Sequence, residues 1–202
     1  MKLLLAILAG LGLAACGGSG ATTEAARDDF GGLAATGMGA GSRLPVAVVE
    51  LQAASWLSGP DMYFRLAYAE PQQRRSYAES RWAAPPAELL EAFLKRRIIF
   101  NQADPGGAGC RLQLALDELE QRFDSPLGST TILEVRAQLT SMRGVETLSR
   151  RAFLIRKAAT APDARGGAMA ARDAAQALAD DIQGWLGEIS RDKPAIVERC
   201  RT

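Results

Sequence analysis

The pattern of apolar and polar positions after residue 43 predicts six strands and two helices. Segments of alternating polarity indicate strands, and apolar residues spaced three or four positions apart indicate helices. A change in the phase of alternation near Asp117 indicates a β-bulge there. The predicted strands cover residues 45–51, 62–69, 74–82, 110–123, 131–140 and 148–158, and the predicted helices cover residues 85–98 and 168–189.

The order of these elements predicts an α+β domain. Hairpins on either side of separated helices favour a mainly antiparallel sheet of about six strands, with the two helices packed on one face. The other face of the sheet is then expected to be partly open to water. Residues 44–202 are long enough for one domain with its own core.

The first sixteen residues have the pattern of a secretory signal that ends at a cysteine. Lys2 is followed by an apolar stretch and by Leu13-Ala14-Ala15-Cys16, and the apolar part is too short for a permanent membrane span. Leu-Ala-Ala-Cys resembles a bacterial lipobox, which implies cleavage after residue 15 and lipidation of Cys16. An ordinary secreted protein with an incidental cysteine and a short signal anchor are the alternatives.

Residues 16–43 have the composition of a flexible tether. They are rich in Gly, Ala, Thr and Ser and contain few large apolar side chains. Phe30-Gly31-Gly32-Leu33 interrupts this composition and is the place where a short edge strand is expected. By the sorting rule usual for Gram-negative lipoproteins, Gly17 in place of Asp indicates the periplasmic leaflet of the outer membrane.

Two further cysteines, Cys110 and Cys200, are expected to pair. An exported chain enters an oxidising compartment, and the two remaining thiols are even in number. The alternative is a pair of buried reduced cysteines. It is disfavoured because Cys200 is flanked by charged residues and is expected to be exposed.

Composition disfavours catalysis, metal binding and nucleic-acid binding. The chain has no histidine, which removes the commonest general base and most transition-metal sites, and its net charge is +1. Asp117, Glu118, Glu120 and Asp124 form an acidic cluster that is interpreted as a solvated face rather than a Ca²⁺ site. No enzymatic activity, cofactor or metal is expected.

Three sequence runs carry a family resemblance. They are Ala54–Leu66, Tyr77–Pro86 and Leu116–Gln121. Together with the lipobox, they resemble the ABC-type transport auxiliary lipoprotein family, which includes the paraquat-inducible C lipoprotein and accompanies MCE (mammalian cell entry) lipid-transport systems. The resemblance implies a non-catalytic outer-membrane partner of an MCE protein, a permease and an ATPase, which helps phospholipid cross the periplasm.

Trp56, Leu57 and Met62 are the predicted partner-binding residues. They flank the turn Gly59-Pro60, and exposed apolar residues beside a rigid turn indicate a contact surface. The alternative is that these aromatic and apolar residues pack in the core, as is also expected for Tyr77 and Trp82.

Two other functions remain open at this point. An envelope assembly or scaffold lipoprotein for lipopolysaccharide or the cell wall is the alternative function, and a metal-free periplasmic hydrolase is a third hypothesis. The oligomeric state is undetermined, and a homo-oligomer is compatible with the sequence.

Overall fold

The computed structural model describes residues 24–31, 44–98, 109–142 and 146–201. The predicted signal peptide, Cys16 and residues 17–23 and 32–43 of the predicted tether lie outside the described residues. The strands are β1 (Ala26–Asp28), β2 (Val46–Ala53), β3 (Asp61–Leu66), β4 (Arg75–Trp82), β5 (Cys110–Ser125), β6 (Gly128–Ser141) and β7 (Thr147–Ala158). The helices are α1 (Pro86–Ile98), α2 (Ala164–Asp192) and α3 (Pro194–Arg201), and a 3₁₀ turn covers Ser55–Leu57.

The fold of the described residues is α+β, as predicted, but its sheet is mixed rather than mainly antiparallel. The strand order is β1-β4-β3-β5-β6-β7, and β2 also pairs with β5. Three pairings are parallel (β1 with β4, β2 with β5 and β3 with β5), and three are antiparallel (β3 with β4, β5 with β6 and β6 with β7). The prediction failed because alternation shows which residues share a face, but not which strands are neighbours.

The long strand β5 organises the sheet. Its first half, Cys110–Leu116, pairs with β2, and its second half, at residues 121–123, pairs with β3 on the same edge. The antiparallel partner β6 occupies the opposite edge along almost its full length. The register shifts between Leu116 and Glu118, which confirms the predicted bulge. β2 and β3 therefore meet beside this bulge, and the 3₁₀ turn lies between them.

The helices of the described chain pack on one face of the sheet. The predicted stripe of α2, formed by Leu178, Ile182, Trp185, Leu186 and Ile189, is buried. Earlier in α2, buried alanines allow close approach to the strands, and Thr131 of β6 donates a hydrogen bond to the carbonyl of Gly167 at 3.1 Å. Asp163 caps the helix because its carboxylate accepts from the amide of Gly166 at 2.7 Å.

Part of the predicted tether docks on the domain. The edge strand is β1, which lies just before the predicted position at residues 30–33 and pairs in parallel with β4. Phe30 is 3% exposed, and its ring centroid lies 5.3 Å from that of Trp82. The prediction of one flexible tether over residues 16–43 is therefore wrong for this segment.

The C-terminus is joined to the sheet by the predicted disulfide between Cys110 and Cys200. The expectation that Cys200 is exposed is wrong, because both cysteines are fully buried. Cys200 lies on α3, which the sequence analysis did not predict. The flanking charges point to solvent while the cysteine and Val197 face the core, as is usual for an amphipathic helix.

Candidate partner-binding surface

The face of the sheet opposite the helices is open in the described part of the chain. Its residues occupy the polar phase of the alternation: Gln113 of β5 lies beside Gln138 of β6, which lies beside Arg150 of β7. One pair further along, Ala115 lies beside Arg136, which lies beside Ala152. The alternation that builds the core on one face thus builds a mainly polar surface, interrupted by alanines, on the other.

A groove of about 680 Å³ runs across this face. Its lining includes Glu50, Gln52, Gln113, Ala115, Arg136, Gln138, Arg150 and Ala152. The alanines provide depth because their side chains rise less from the sheet than those of neighbouring residues. The hydroxyl of Thr147 accepts from Gln138 at 2.7 Å and from Arg150 at 3.3 Å. The groove therefore offers amide and guanidinium donors on a strand-supported surface.

An ion pair borders the groove at the bulge. Arg136 donates to both carboxylate oxygens of Asp117, from Nε at 2.6 Å and from Nη2 at 2.7 Å. The bidentate geometry fixes the plane of the guanidinium more firmly than a single contact would. Asp117 lies at the bulge, where the register of β5 shifts between Leu116 and Glu118. The bulge therefore directs this carboxylate toward Arg136 on the neighbouring strand.

Beyond the bulge, Trp56 lies on the surface over an arginine. The guanidinium carbon of Arg74 is 5.7 Å from the centroid of the Trp56 ring and 5.6 Å from that of the Tyr63 ring. Trp56 is 52% exposed. Cation–π attraction restrains the indole while leaving one side of it accessible.

Two glutamates hold Arg74 in place. Its guanidinium donates to Glu118, and its Nε lies 3.7 Å from a carboxylate oxygen of Glu120. Glu120 is 6% exposed and also accepts from Arg65 at 3.0 Å. Burial raises the pKa of Glu118, the neighbouring Glu120 raises it further, and Arg74 opposes both effects. This network rests on β5 and supports the position of Trp56.

The structure separates the three predicted partner-binding residues. Trp56 is exposed, but Leu57 is 0% and Met62 is 4% exposed, and both belong to the hydrophobic core. The expectation that all three lie at the surface is therefore wrong for Leu57 and Met62. The core interpretation is also correct for Trp82, which is buried, and for Tyr77, whose hydroxyl donates to Gln121 at 2.8 Å.

The acidic cluster is a solvated face only in part, because Asp117 and Asp124 reach solvent whereas Glu118 and Glu120 are largely buried. Every one of its four carboxylates pairs with an arginine: Asp117 with Arg136, Glu118 with Arg74, Glu120 with Arg65, and Asp124 with Arg122. The sequence interpretation is wrong for Glu118 and Glu120 because the arginines that cover them come from β3 and the β3–β4 turn, which a local pattern does not place beside β5. Within the described ranges, no group of three or more His, Cys, Asp or Glu side chains is arranged to hold a metal.

Sequence reasoning missed Arg74, Arg136 and Arg150 as surface residues of this face. The signal for Arg136 was present, because it occupies the polar phase of a cleanly alternating strand. Arg74 precedes β4 and had no periodic signal. Its position over β5 follows from the pairing of β3 with both β4 and β5.

Comparison with known families decides the relationship of this chain to other proteins. A family model described as "ABC-type transport auxiliary lipoprotein component" matches residues 33–183. The chain belongs to this family. The match spans every strand from β2 to β7 and most of α2. The open face, Trp56 and Arg74 therefore belong to the family domain.

Solved structures share the fold of this family member. A crystal structure of a Xanthomonas campestris protein assigned to family DUF330 has a TM-score of 0.62 at 19% identity and covers 75% of this chain and 87% of its own. An uncharacterized protein has a TM-score of 0.55 at 13% identity and covers 82% and 99% of the two chains. Comparison with curated proteins finds no significant match. No helix in the described ranges has the length and apolarity to cross a membrane.

Proposed function

We propose that this protein is a non-catalytic auxiliary component of an MCE-type lipid-transport system, anchored by lipidated Cys16 to the periplasmic face of the outer membrane. Family membership supports the role beside an ABC-type transporter. The lipobox residues Leu13-Ala14-Ala15-Cys16 support the anchor. The substrate that moves through the system is a phospholipid.

The open sheet face is the surface that binds the MCE-family protein. The observation that carries this proposal is Trp56, which is half exposed although Arg74 holds it in one place. Trp is enriched among the residues that dominate binding energy at protein interfaces, and a restrained side chain loses little entropy on binding. Trp56 is already ordered in the folded domain, so little further side-chain entropy is lost when the partner binds.

The groove extends the same surface toward β7. Gln52, Gln113 and Gln138 provide donors and acceptors, and Arg150 adds a positive charge. Such a surface matches a polar partner segment with hydrogen-bonding side chains or an exposed backbone, surrounding an apolar contact at Trp56. Specificity then comes from the groove, and most of the affinity comes from Trp56.

Replacement of Trp56 by Ala tests the proposal. We expect Trp56→Ala to raise the apparent Kd for the cognate MCE-family protein by tenfold or more, and so to weaken co-purification. A tenfold change in Kd corresponds to a loss of about 1.4 kcal/mol of binding free energy. Met169→Ala is the matched control, because Met169 is 50% exposed on α2, on the helix-bearing side. Both variants are expected to unfold at nearly the same denaturant concentration as the wild type.

Two results would contradict the proposed surface. Unchanged binding by Trp56→Ala would place the interface elsewhere, and an equal loss with Met169→Ala would show that binding does not distinguish the two faces. Absence of any association between the wild-type protein and MCE, permease or ATPase subunits would contradict the transport role itself.

A further inference from the structure

Three loops of the described chain meet at one end of the sheet, called here the hairpin end. They are the β3–β4 turn at residues 67–74, the β5–β6 turn at residues 126–127 and the β7–α2 loop at residues 159–163. The amide of Ala67 donates to the carbonyl of Phe123 at 2.8 Å, and that of Ala159 donates to the carbonyl of Ser129 at 2.9 Å. These bonds hold the outer loops against the two sides of the β5–β6 hairpin.

The tip of the hairpin end exposes apolar side chains, and the nearby charged residues Arg122 and Asp124 of β5 pair with each other. Leu127 at the tip of the β5–β6 turn is 88% exposed, and Tyr68 is 47% exposed. The charged residues of the three loops are Glu70, Arg74 and Asp163, and each is engaged: Glu70 by Arg75, Arg74 by Glu118, and Asp163 by the amide at the start of α2. An exposed leucine and an exposed, amphipathic tyrosine at the same end of the sheet are suited to a boundary between water and an apolar phase.

The N-terminal segment approaches the domain from the same end. β1 is parallel to β4, and β4 begins beside the end of β3 at the hairpin end. The chain therefore runs away from the hairpin end as it passes from Glu24 to Asp28. The described segment therefore begins, at Glu24, on the side of Leu127 and Tyr68 rather than on the side of the disulfide.

The length of the preceding chain limits where an anchor at Cys16 can lie. Eight residue steps separate Cys16 from Glu24, and eight extended steps span at most about 29 Å. Register through β4, β3 and β5 places Glu24 level with about Leu119, which is about 20 Å from the hairpin end and about 31 Å from the disulfide end at about 3.4 Å per residue. The anchor reaches past the hairpin end but not past the disulfide end.

We propose that the hairpin end of the domain rests on the lipid bilayer, with Leu127 and Tyr68 in the interfacial layer. This inference relies on the proposed lipidation of Cys16 for the proximity of the membrane. The anchor keeps these weakly apolar loops at a high effective concentration beside the bilayer, so a small contact suffices to orient the domain. The edge at β4 is a poorer contact because Glu79 and Arg81 are exposed there.

In this orientation, the strands stand roughly upright on the membrane. The open face with Trp56 and the groove then points sideways into the periplasm, accessible to a protein that arrives from the opposite membrane. The disulfide end with Met142 lies farthest from the lipid, about 50 Å from Leu127 along β6 at about 3.3 Å per residue.

Site-specific labelling of the full-length lipidated protein tests this orientation. Cys16 carries the lipid and Cys110 and Cys200 are joined, so one introduced cysteine supplies the free thiol. Leu127→Cys and the matched control Met142→Cys, which replaces a 43% exposed residue at the other end of β6, each receive an environment-sensitive fluorophore. The proteins are reconstituted in vesicles of phosphatidylethanolamine and phosphatidylglycerol, with and without brominated lipid.

We expect the label at residue 127 to shift to shorter wavelength and to be quenched by brominated lipid, while the label at residue 142 changes little. Equal quenching at both positions, or quenching at residue 142 alone, would overturn the orientation. A label at residue 127 that responds to the MCE-family protein but not to the vesicles would assign the hairpin end to a protein partner and also overturn it.

Flotation of the vesicles separates this inference from the function on which it relies. Protein that fails to float contradicts the anchor and the orientation together. Protein that floats without quenching at residue 127 contradicts the orientation and leaves the anchor supported. Binding of the MCE-family protein is measured through Trp56 and does not enter either result.

Discussion

Trp56 and Leu57 are consecutive in the chain, but the side chain of Trp56 lies at the surface and that of Leu57 lies in the hydrophobic core. Trp56 is 52% exposed over Arg74, whereas Leu57 is fully buried in the core. The 3₁₀ turn at Ser55–Leu57 produces this separation, since about three residues complete a turn and neighbouring side chains point about 120° apart. One short turn therefore supplies both a surface aromatic and a core anchor beside the β5 bulge.

The first prediction distinguishes these two roles. Leu57→Ala is expected to lower the free energy of unfolding by about 2–5 kcal/mol, because it removes a buried side chain and leaves a cavity. Met62→Ala should fall in the same range. Trp56→Ala serves as the comparison and should cost much less, since its ring is half exposed. Urea denaturation followed by circular dichroism measures all three, and a small effect of Leu57→Ala would contradict its place in the core.

The second prediction concerns two glycines of α2. A Cβ on Gly167 would lie 2.1 Å from the side-chain oxygen of Gln121, which is buried and hydrogen bonded to Ser129, so Gly167→Ala should destabilise the fold by about 1–3 kcal/mol. A Cβ on Gly184 would meet nothing within 4 Å. Gly184→Ala should therefore stabilise the helix by about 0.5–1 kcal/mol. Thermal unfolding of both variants checks the opposite signs, and a shift in the same direction would refute the close packing at Gly167.

The third prediction concerns the disulfide. The bond closes a sequence separation of 90 residues, and its loss is expected to cost about 2–5 kcal/mol of unfolding free energy. A reductant should lower the urea midpoint of the wild type. The same reductant should leave the Cys110→Ala, Cys200→Ala double variant unchanged. If the wild-type midpoint does not move although free thiols are detected, the bridge does not stabilise α3 against β5.

The fourth prediction concerns alkaline pH. Burial, with a smaller contribution from Asp163, raises the pKa of Tyr77 to about 12. The unfolded chain releases this proton near pH 10, whereas the folded chain retains it, so the unfolded state binds fewer protons and stability falls as pH rises from about 10 toward about 12. Tyr77→Phe should reduce this fall and remove the latest phenolate step in an absorbance titration. A latest step that survives in Tyr77→Phe would belong to another tyrosine.

Much of the local structure was predictable because it follows from periodicity. Alternation predicted the strands from β2 to β7, and the phase change near Asp117 predicted the bulge. The apolar stripe of α2 predicted its buried face. These features depend on residues a few positions apart, whose relation is set by backbone geometry alone.

Two elements at the ends of the chain were missed or misplaced. β1 has the sequence Ala-Arg-Asp and carries no alternating signal, and it forms because the edge of β4 supplies hydrogen-bond partners and Phe30 packs against Trp82. α3 is short and has charged residues on most sides. Its position depends on the bond between Cys200 and a strand 90 residues away in sequence.

The sequence by itself determined the segments that form strands and helices, the residues that share each face and the two cysteines available for pairing. Tertiary structure decided that β2 and β3 line the same edge of β5, that Leu57 enters the core while Trp56 stays out, and that the acidic cluster is neutralised. The partners of that cluster include Arg74, which is 44 residues from Glu118, and Arg65, which is 55 residues from Glu120. Contacts over such separations depend on strand pairing, for which a local pattern carries no information.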